Sequence, residues 1–238
     1  MQTVIGWIAK PLGYFLGWLY DIVGSYGIAI IIFTIVVKIC LYPLYAKQMK
    51  SSVGMSKLQP KMKALQNKYA NDKETLNAKM AELYKEEGIN PAGGCLPMLI
   101  QLPIIFGLFA LLRNPLLYMG TSGKMLFAIH ESFLWMPDLS QPDKWILPII
   151  AGIATFLAFS LQQQQQQDMP GNNAGGMMKV MKYIFPIMIV MMGRTFPAGL
   201  TIYWALGQVI QIFYNLRMNK VRREMLAEEG KKGGKNRR

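Results

Sequence analysis

The feature that most constrains this chain is a lysine inside an apolar run. "GIAIIIFTIVVKICLYPLYA", Gly27 to Ala46, holds 20 residues, enough to cross a bilayer core at ~1.5 Å per residue. Lys38 stands near its middle, 8 residues from one edge and 11 from the other. An ammonium at that depth costs ~2.5–3.5 kcal/mol on insertion scales. The chain must offset that cost through what it builds around Lys38.

Composition extends the argument. Of 238 residues, 52% are hydrophobic and only 16% charged, and the charge lies in blocks between apolar runs. The net charge of +13 then points to a membrane protein with basic cytoplasmic segments before it points to nucleic acid. An all-α polytopic fold is expected, with five spans. The segments are 25–46, 93–114, 145–163, 177–194 and 195–216. Prolines in several of them are tolerated where neighbouring groups re-satisfy the backbone. Only a short polar stretch parts the fourth and fifth, which predicts a tight hairpin.

Loop charge gives the orientation. Nine lysines lie in 47–92, and nine basic residues follow from Arg217 to the end. The 115–144 loop is nearly balanced, with Glu131, Asp138 and Asp143 against few basic residues. The positive-inside rule puts 47–92, 164–176 and the 217–238 tail in the cytoplasm. The N-terminus and the 115–144 loop are then expected on the outer side of the membrane.

Residues 1–24 carry Ile5, Ile8, Leu12, Phe15, Leu19 and Ile22 at helical spacing, with Trp7 and Trp18 suited to the headgroup level. An interfacial amphipathic helix is expected there. No cysteine precedes Cys40, so a lipoprotein-type lipid anchor is not. Cys40 and Cys95 read as small buried residues. In 47–92, Met55, Leu58, Met62, Leu65 and Tyr69 step by threes and fours, and Leu76, Met80 and Leu83 resume the rhythm. This is a cytoplasmic helical hairpin with an apolar seam, Asp72 as N-cap and Gly88 as stop. The polar, Gly-rich 164–176 segment reads as a flexible loop. The tail reads as a helix extension ending in a basic disordered stretch, suited to anionic lipid or to ribosomal RNA.

No nucleotide loop, nucleophile elbow or zinc motif occurs. The single histidine, His130, reads as a surface residue. The chain is not expected to be an enzyme or to hold a cofactor or metal. Function should rest on the polar groups within the spans: Thr34 and Lys38 on one helical face, Gln101, Thr155, Ser160, and Thr201, Tyr203, Trp204, Gln208 and Gln211. No acidic residue lies in any span. Three accounts of Lys38 are open. Snorkelling falls short, because the stem reaches ~6 Å and the nearer edge is ~12 Å away. Burial as a neutral amine is possible. A hydrated cavity lined by these polar groups fits best. A solute channel or transporter is the alternative use of such a cavity, but no internal repeat or coordinating ring is present.

These residues resemble the YidC family of membrane-protein insertases. The resemblance runs from Pro11 to Arg223. It is carried by "NPAGGCLPMLIQLP", Asn90 to Pro103, by "PAGLTIYW", Pro197 to Trp204, and by the first span and the hairpin. It implies an ATP-independent insertase and chaperone with a hydrophilic groove enclosed by five spans. It implies nascent membrane proteins as clients, delivered by the ribosome or by the Sec translocon. The chain looks like the short Gram-positive-type member. Lys38 falls where the family usually has arginine, as a groove charge, and the pair Tyr203 and Trp204 falls on the groove side of the fifth span. Thr34, Gln101 and Gln208 are expected to complete the lining by helical phase.

Overall fold

A computed structural model describes residues 2–88, 96–118, 123–166 and 172–235. Among the described residues it is all helical, apart from one isolated bridge between Phe133 and Met136. The helices are α1 Gln2–Val23, α2 Tyr26–Lys68, α3 Lys73–Glu86, α4 Leu96–Arg113, α5 Pro115–Tyr118, α6 Gly123–Ala128, α7 Ile146–Gln166, α8 Asn172–Gly193 and α9 Ala198–Lys235.

The expected division between first span and hairpin is absent. α2 is one helix of 43 residues that carries Pro43 and Pro60 inside it. No Gly–Pro or Asn–Gly break interrupts the joining stretch, and the good helix formers Lys47, Gln48, Met49 and Lys50 carry the helix past Ala46 into the weaker turn at 51–54. The hairpin itself forms as the spacing predicts. Leu58, Met62 and Leu83 are buried, with Leu65, Met80 and Tyr84 packed against them. Asp72 caps α3 by accepting the Thr75 amide at 3.0 Å. Hydrogen bonds from the Thr75 side chain and amide hold the Asp72 carboxyl below the usual carboxylate range. Gly88 ends the helix at φ +62°, a left-handed conformation that glycine adopts at no steric cost. Lys61 and Glu87 pair across the hairpin.

Helix also takes more of the expected loops. α7 runs to Gln166 and α8 begins at Asn172, so only residues 167–171 of the 164–176 segment lie outside the described residues. Glutamine is a good helix former, so the run continues α7 instead of breaking it. α9 runs to Lys235, where a disordered end was expected, because "VRREMLAEEGKK" is dominated by helix-favouring residues.

The core lies where α1, α2, α4, α7 and α9 meet, around Leu16, Ile30, Phe33, Leu108, Leu111, Leu139 and Ala151. α9 packs on α7 and α2, α8 packs on α7, and α1 packs on α4 and α2. The turn between α8 and α9 is short, yet the two helices rest mainly against α7 rather than on each other. α1 buries one face against the protein. It runs through Ala9, Gly13, Leu16 and Leu19, while Ile22 is exposed. Small residues set this face because α1 approaches closely. A Cβ on Gly13 would stand 2.5 Å from the Tyr118 carbonyl oxygen, and one on Gly107 would stand 2.7 Å from Ile8. Trp7 and Trp18 are exposed.

The outside of the bundle is apolar. Ile28, Ile35 and Ile39 of α2, Ile149, Ile153 and Leu157 of α7, Ile184, Ile187 and Met191 of α8, and Phe213 and Leu216 of α9 are exposed. Cys40 is also exposed, against the expectation of burial, because it shares this outward side of α2. Cys95 lies outside the described residues. Among the described residues, Tyr26–Ala46 is the one stretch long and apolar enough to cross a membrane. Leu102–Arg113, Ile146–Gln162 and Val180–Gly193 are apolar but shorter.

Candidate functional site

Lys38 lies between α2 and α9. The residue is only 8% exposed, so it is enclosed by protein and does not reach out to an edge. Its space comes from Gly207. A Cβ there would stand 3.3 Å from the Lys38 Cε and 3.7 Å from its Nζ. The ammonium sits 5.8 Å from the Tyr45 ring centroid, within the range where a ring face attracts a cation. No carboxylate pairs with it among the described residues. On the same side, the Tyr214 hydroxyl donates to the Lys38 carbonyl at 3.2 Å. The rings of Tyr42 and Tyr45 stand 5.3 and 5.9 Å from that of Tyr214.

The other predicted residues occupy two faces of α9. Tyr203, Gly207 and Tyr214 share one stripe by helical phase, and this stripe carries both α9 contacts to Lys38. Tyr203 is buried within the core. Trp204, Gln208, Gln211 and Asn215 form the neighbouring stripe, and its contacts run to α7. Trp204 Nε1 donates to Thr155 Oγ1 at 3.1 Å, and its ring lies 6.1 Å from Phe185 of α8. Gln211 donates to Asn215 Oδ1 at 3.3 Å, and Asn215 donates to the Ala158 carbonyl at 3.0 Å. Gln208 is half-buried between these contacts.

Thr34 is fully buried, and its hydroxyl donates to its own helix at the Ile30 carbonyl, 2.6 Å away. This satisfies the hydroxyl locally, as threonine commonly does within helices. Thr155 repeats the pattern to Ala151 at 2.6 Å. The side chain of Gln101 lies outside the described residues.

Sequence reasoning missed three groups. Gly207 gives no polar signal; only its place on the Tyr203–Tyr214 stripe could have marked it. Asn215 stands at the end of the 195–216 span, and its place one turn after Gln211 is the signal that could have marked it. Glu131 follows His130 in the sequence, yet the His130 Nδ1 lies 3.0 Å from both Asp138 and Ser140. His130 is exposed, as expected. Burial pushes the Asp138 carboxyl up, but hydrogen bonds from His130 and Ser140 outweigh it and bring the carboxyl below its usual range. Glu131 instead accepts the Tyr20 hydroxyl at 2.7 Å and the Tyr26 amide at 2.8 Å. The first of these bonds holds the Tyr20 phenol above its ordinary value.

The arrangement offers no nucleophile with a base and no cluster of metal ligands among the described residues. It offers one cation enclosed by helices whose outer surface is apolar. Comparison with known proteins agrees in kind. The family model described as "60Kd inner membrane protein" matches residues 18–225. The membrane protein insertase YidC of Fusobacterium nucleatum subsp. nucleatum is 40% identical over 213 residues, covering 89% of this chain and 95% of that protein. That of Geobacter sp. (strain M21) is 41% identical over 220 residues, covering 90% of this chain but 38% of that protein. The chain thus spans nearly all of one curated relative and well under half of the other. A crystal structure of an active YidC insertase with its first transmembrane domain resolved matches with a TM-score of 0.56 and 31% identity. The match covers 90% of this chain and 45% of that one. With 208 of its residues (18 to 225) inside the family model and a crystal structure of the same kind as its neighbour, the chain belongs to the 60Kd inner membrane protein, or YidC, family.

Proposed function

We propose that the chain is a membrane-protein insertase and chaperone that works without ATP. In this reading five spans enclose a polar groove, the N-terminus lies outside and the C-terminus in the cytoplasm of a bacterial plasma membrane. The observation that carries it is Lys38, a cation enclosed between two helices of an apolar-surfaced bundle with no carboxylate beside it among the described residues. Such a charge is retained at a cost. It attracts the acidic side chains and polar backbone of a substrate tail and lowers the barrier to bringing them into the bilayer. Burial of the substrate's apolar helix in lipid supplies the drive, at ~25 cal/mol per Å². Trp204, Gln208 and Gln101 are assigned to the proposed groove beside Lys38, while Thr34 and Tyr203 are buried behind it in the packed core.

Partners follow from charge. Arg217, Lys220 and Arg223 are exposed on α9 and suit ribosomal RNA or anionic lipid. The lysine-rich hairpin suits the same surfaces, and clients arrive as nascent chains from the ribosome or from the Sec translocon. The exposed isoleucines and methionines of α2, α7 and α8 support immersion in lipid, because a surface of this extent in water would drive association.

The test is insertion into liposomes holding only this protein. A single-spanning client with an acidic tail should insert without nucleotide, at a rate about tenfold or more above empty liposomes, as a barrier lowered by ~1.4 kcal/mol requires. Solute flux through the same liposomes with no client insertion would replace the insertase reading by a channel or transporter.

A further inference from the structure

The segment from His130 to Gln141 touches three helices at once. The Glu131 carboxylate accepts the Tyr20 hydroxyl of α1 at 2.7 Å and the amide of Tyr26, the first residue of α2, at 2.8 Å. The carbonyl of the same residue accepts the Leu139 amide at 3.1 Å. The Leu139 carbonyl accepts the amide of Gly199, the second residue of α9, at 3.1 Å, and the Gln141 carbonyl accepts the Ala198 amide at 2.9 Å. An unbroken run of hydrogen bonds therefore joins the first turn of α2 to the first turn of α9.

Helix N-termini leave amides without intrahelical partners. Here one short segment satisfies both ends, and a carboxylate placed there also complements the α2 dipole. The segment is itself braced. His130 Nδ1 lies 3.0 Å from Asp138 and from Ser140, on either side of Leu139. Phe133 fills the place a side chain at Gly27 would take, within 2.3 Å of its would-be Cβ. α2 and α9 are the two helices that hold Lys38, and both depart from this knot.

We propose that Glu131 is a positioning residue, tying the first turns of α2 and α9 into one clasp that sets their spacing around Lys38. The competing reading is a local cap serving α2 alone. The two differ at Gly199, which Glu131 does not touch directly. A cap would leave that amide unchanged; a clasp transmits the loss of the carboxylate through Leu139.

Only the functional consequence rests on the insertase reading; the coupling of the two helix ends does not. The experiment is amide hydrogen exchange on the full chain in lipid nanodiscs, with client insertion measured beside it. In Glu131→Ala, exchange should rise about five- to tenfold at both Tyr26 and Gly199, as loss of a hydrogen-bonded tie predicts. Insertion should fall by a similar factor. Glu131→Gln should restore both to within about twofold, since its amide oxygen accepts the Tyr26 amide and its NH2 group donates to the Tyr20 oxygen. Should Glu131→Ala not fold, Tyr20→Phe carries the same test, with a smaller joint rise of about threefold. A rise at Tyr26 with Gly199 unchanged would overturn the proposal, as would a joint rise with insertion unaltered. Failure of the wild type to insert any client would count against the insertase reading, while the joint or separate response of the two amides would still decide the clasp.

Discussion

Lys38→Glu is expected to slow insertion of clients with acidic tails by about tenfold or more, while clients with neutral tails lose no more than about twofold. The magnitude follows from Coulomb's law. A unit charge about 6 Å from a substrate carboxylate at an effective dielectric constant near 20 contributes ~3 kcal/mol, and reversing its sign turns that attraction into repulsion. Even a fraction of this exceeds the ~1.4 kcal/mol that tenfold requires. Lys38→Arg should retain activity. The guanidinium keeps the charge, and Gly207 leaves space at the end of the side chain. Lys38→Met separates charge from packing, because it keeps the stem and removes the ammonium; it should fall between wild type and Lys38→Glu. The rates are read by protease protection of the translocated tail, with thermal unfolding confirming that each variant is folded. Equal insertion of acidic-tailed clients by wild type and Lys38→Glu would remove the charge from the mechanism.

The second large effect is structural. Gly13→Ala is expected to lower the unfolding midpoint by about 2–10 °C, corresponding to ~1–3 kcal/mol of overpacking. The added methyl would stand 2.5 Å from the Tyr118 carbonyl oxygen and 2.8 Å from its carbon. These are backbone atoms, so no rotamer change relieves the clash and α1 must lift away from α5 and α4. Gly6→Ala is the internal control in the same helix. Nothing lies within 4 Å of its would-be Cβ, so the better helix propensity of alanine should leave stability unchanged or raise it by ~1 kcal/mol. Equal midpoints for the two variants would show that the tight approach of α1 is not what seats it.

These two positions also show what a single sequence can and cannot disclose. Lys38 was legible because an ammonium among isoleucines and valines conflicts with its surroundings, and that conflict survives without any tertiary knowledge. The hairpin was legible for the opposite reason. Its seam, its Asp72 cap and its Gly88 stop are local signals that agree with one another. Gly13 was not legible, because large apolar residues dominate a periodicity count, whereas the buried face of α1 is set by how closely small residues let it approach. The continuity of α2 through Pro43 and Pro60 was hidden by a boundary drawn on polarity alone. The pair Tyr203–Trp204 was read as one surface, yet adjacent residues on a helix point about 100° apart, so one meets the core near α2 and the other meets Thr155 of α7. Glu131 was hidden most completely, since a lone carboxylate in a loop carries no mark of the two helices it will reach.

The charge of Lys38 matters to insertion only if nascent chain passes beside it. A photo-reactive amino acid at position 204 of this protein, on the α9 stripe next to the one that meets Lys38, tests this most directly against a ribosome-stalled nascent membrane protein in inverted vesicles, with position 153 on the exposed face of α7 as the comparison. The groove reading predicts crosslinks from 204 to polar residues of the nascent chain, stronger than those from 153 and lost when the chain is released by puromycin. Crosslinks from 204 to lipid alone, with nascent chain captured only from 153, would contradict it.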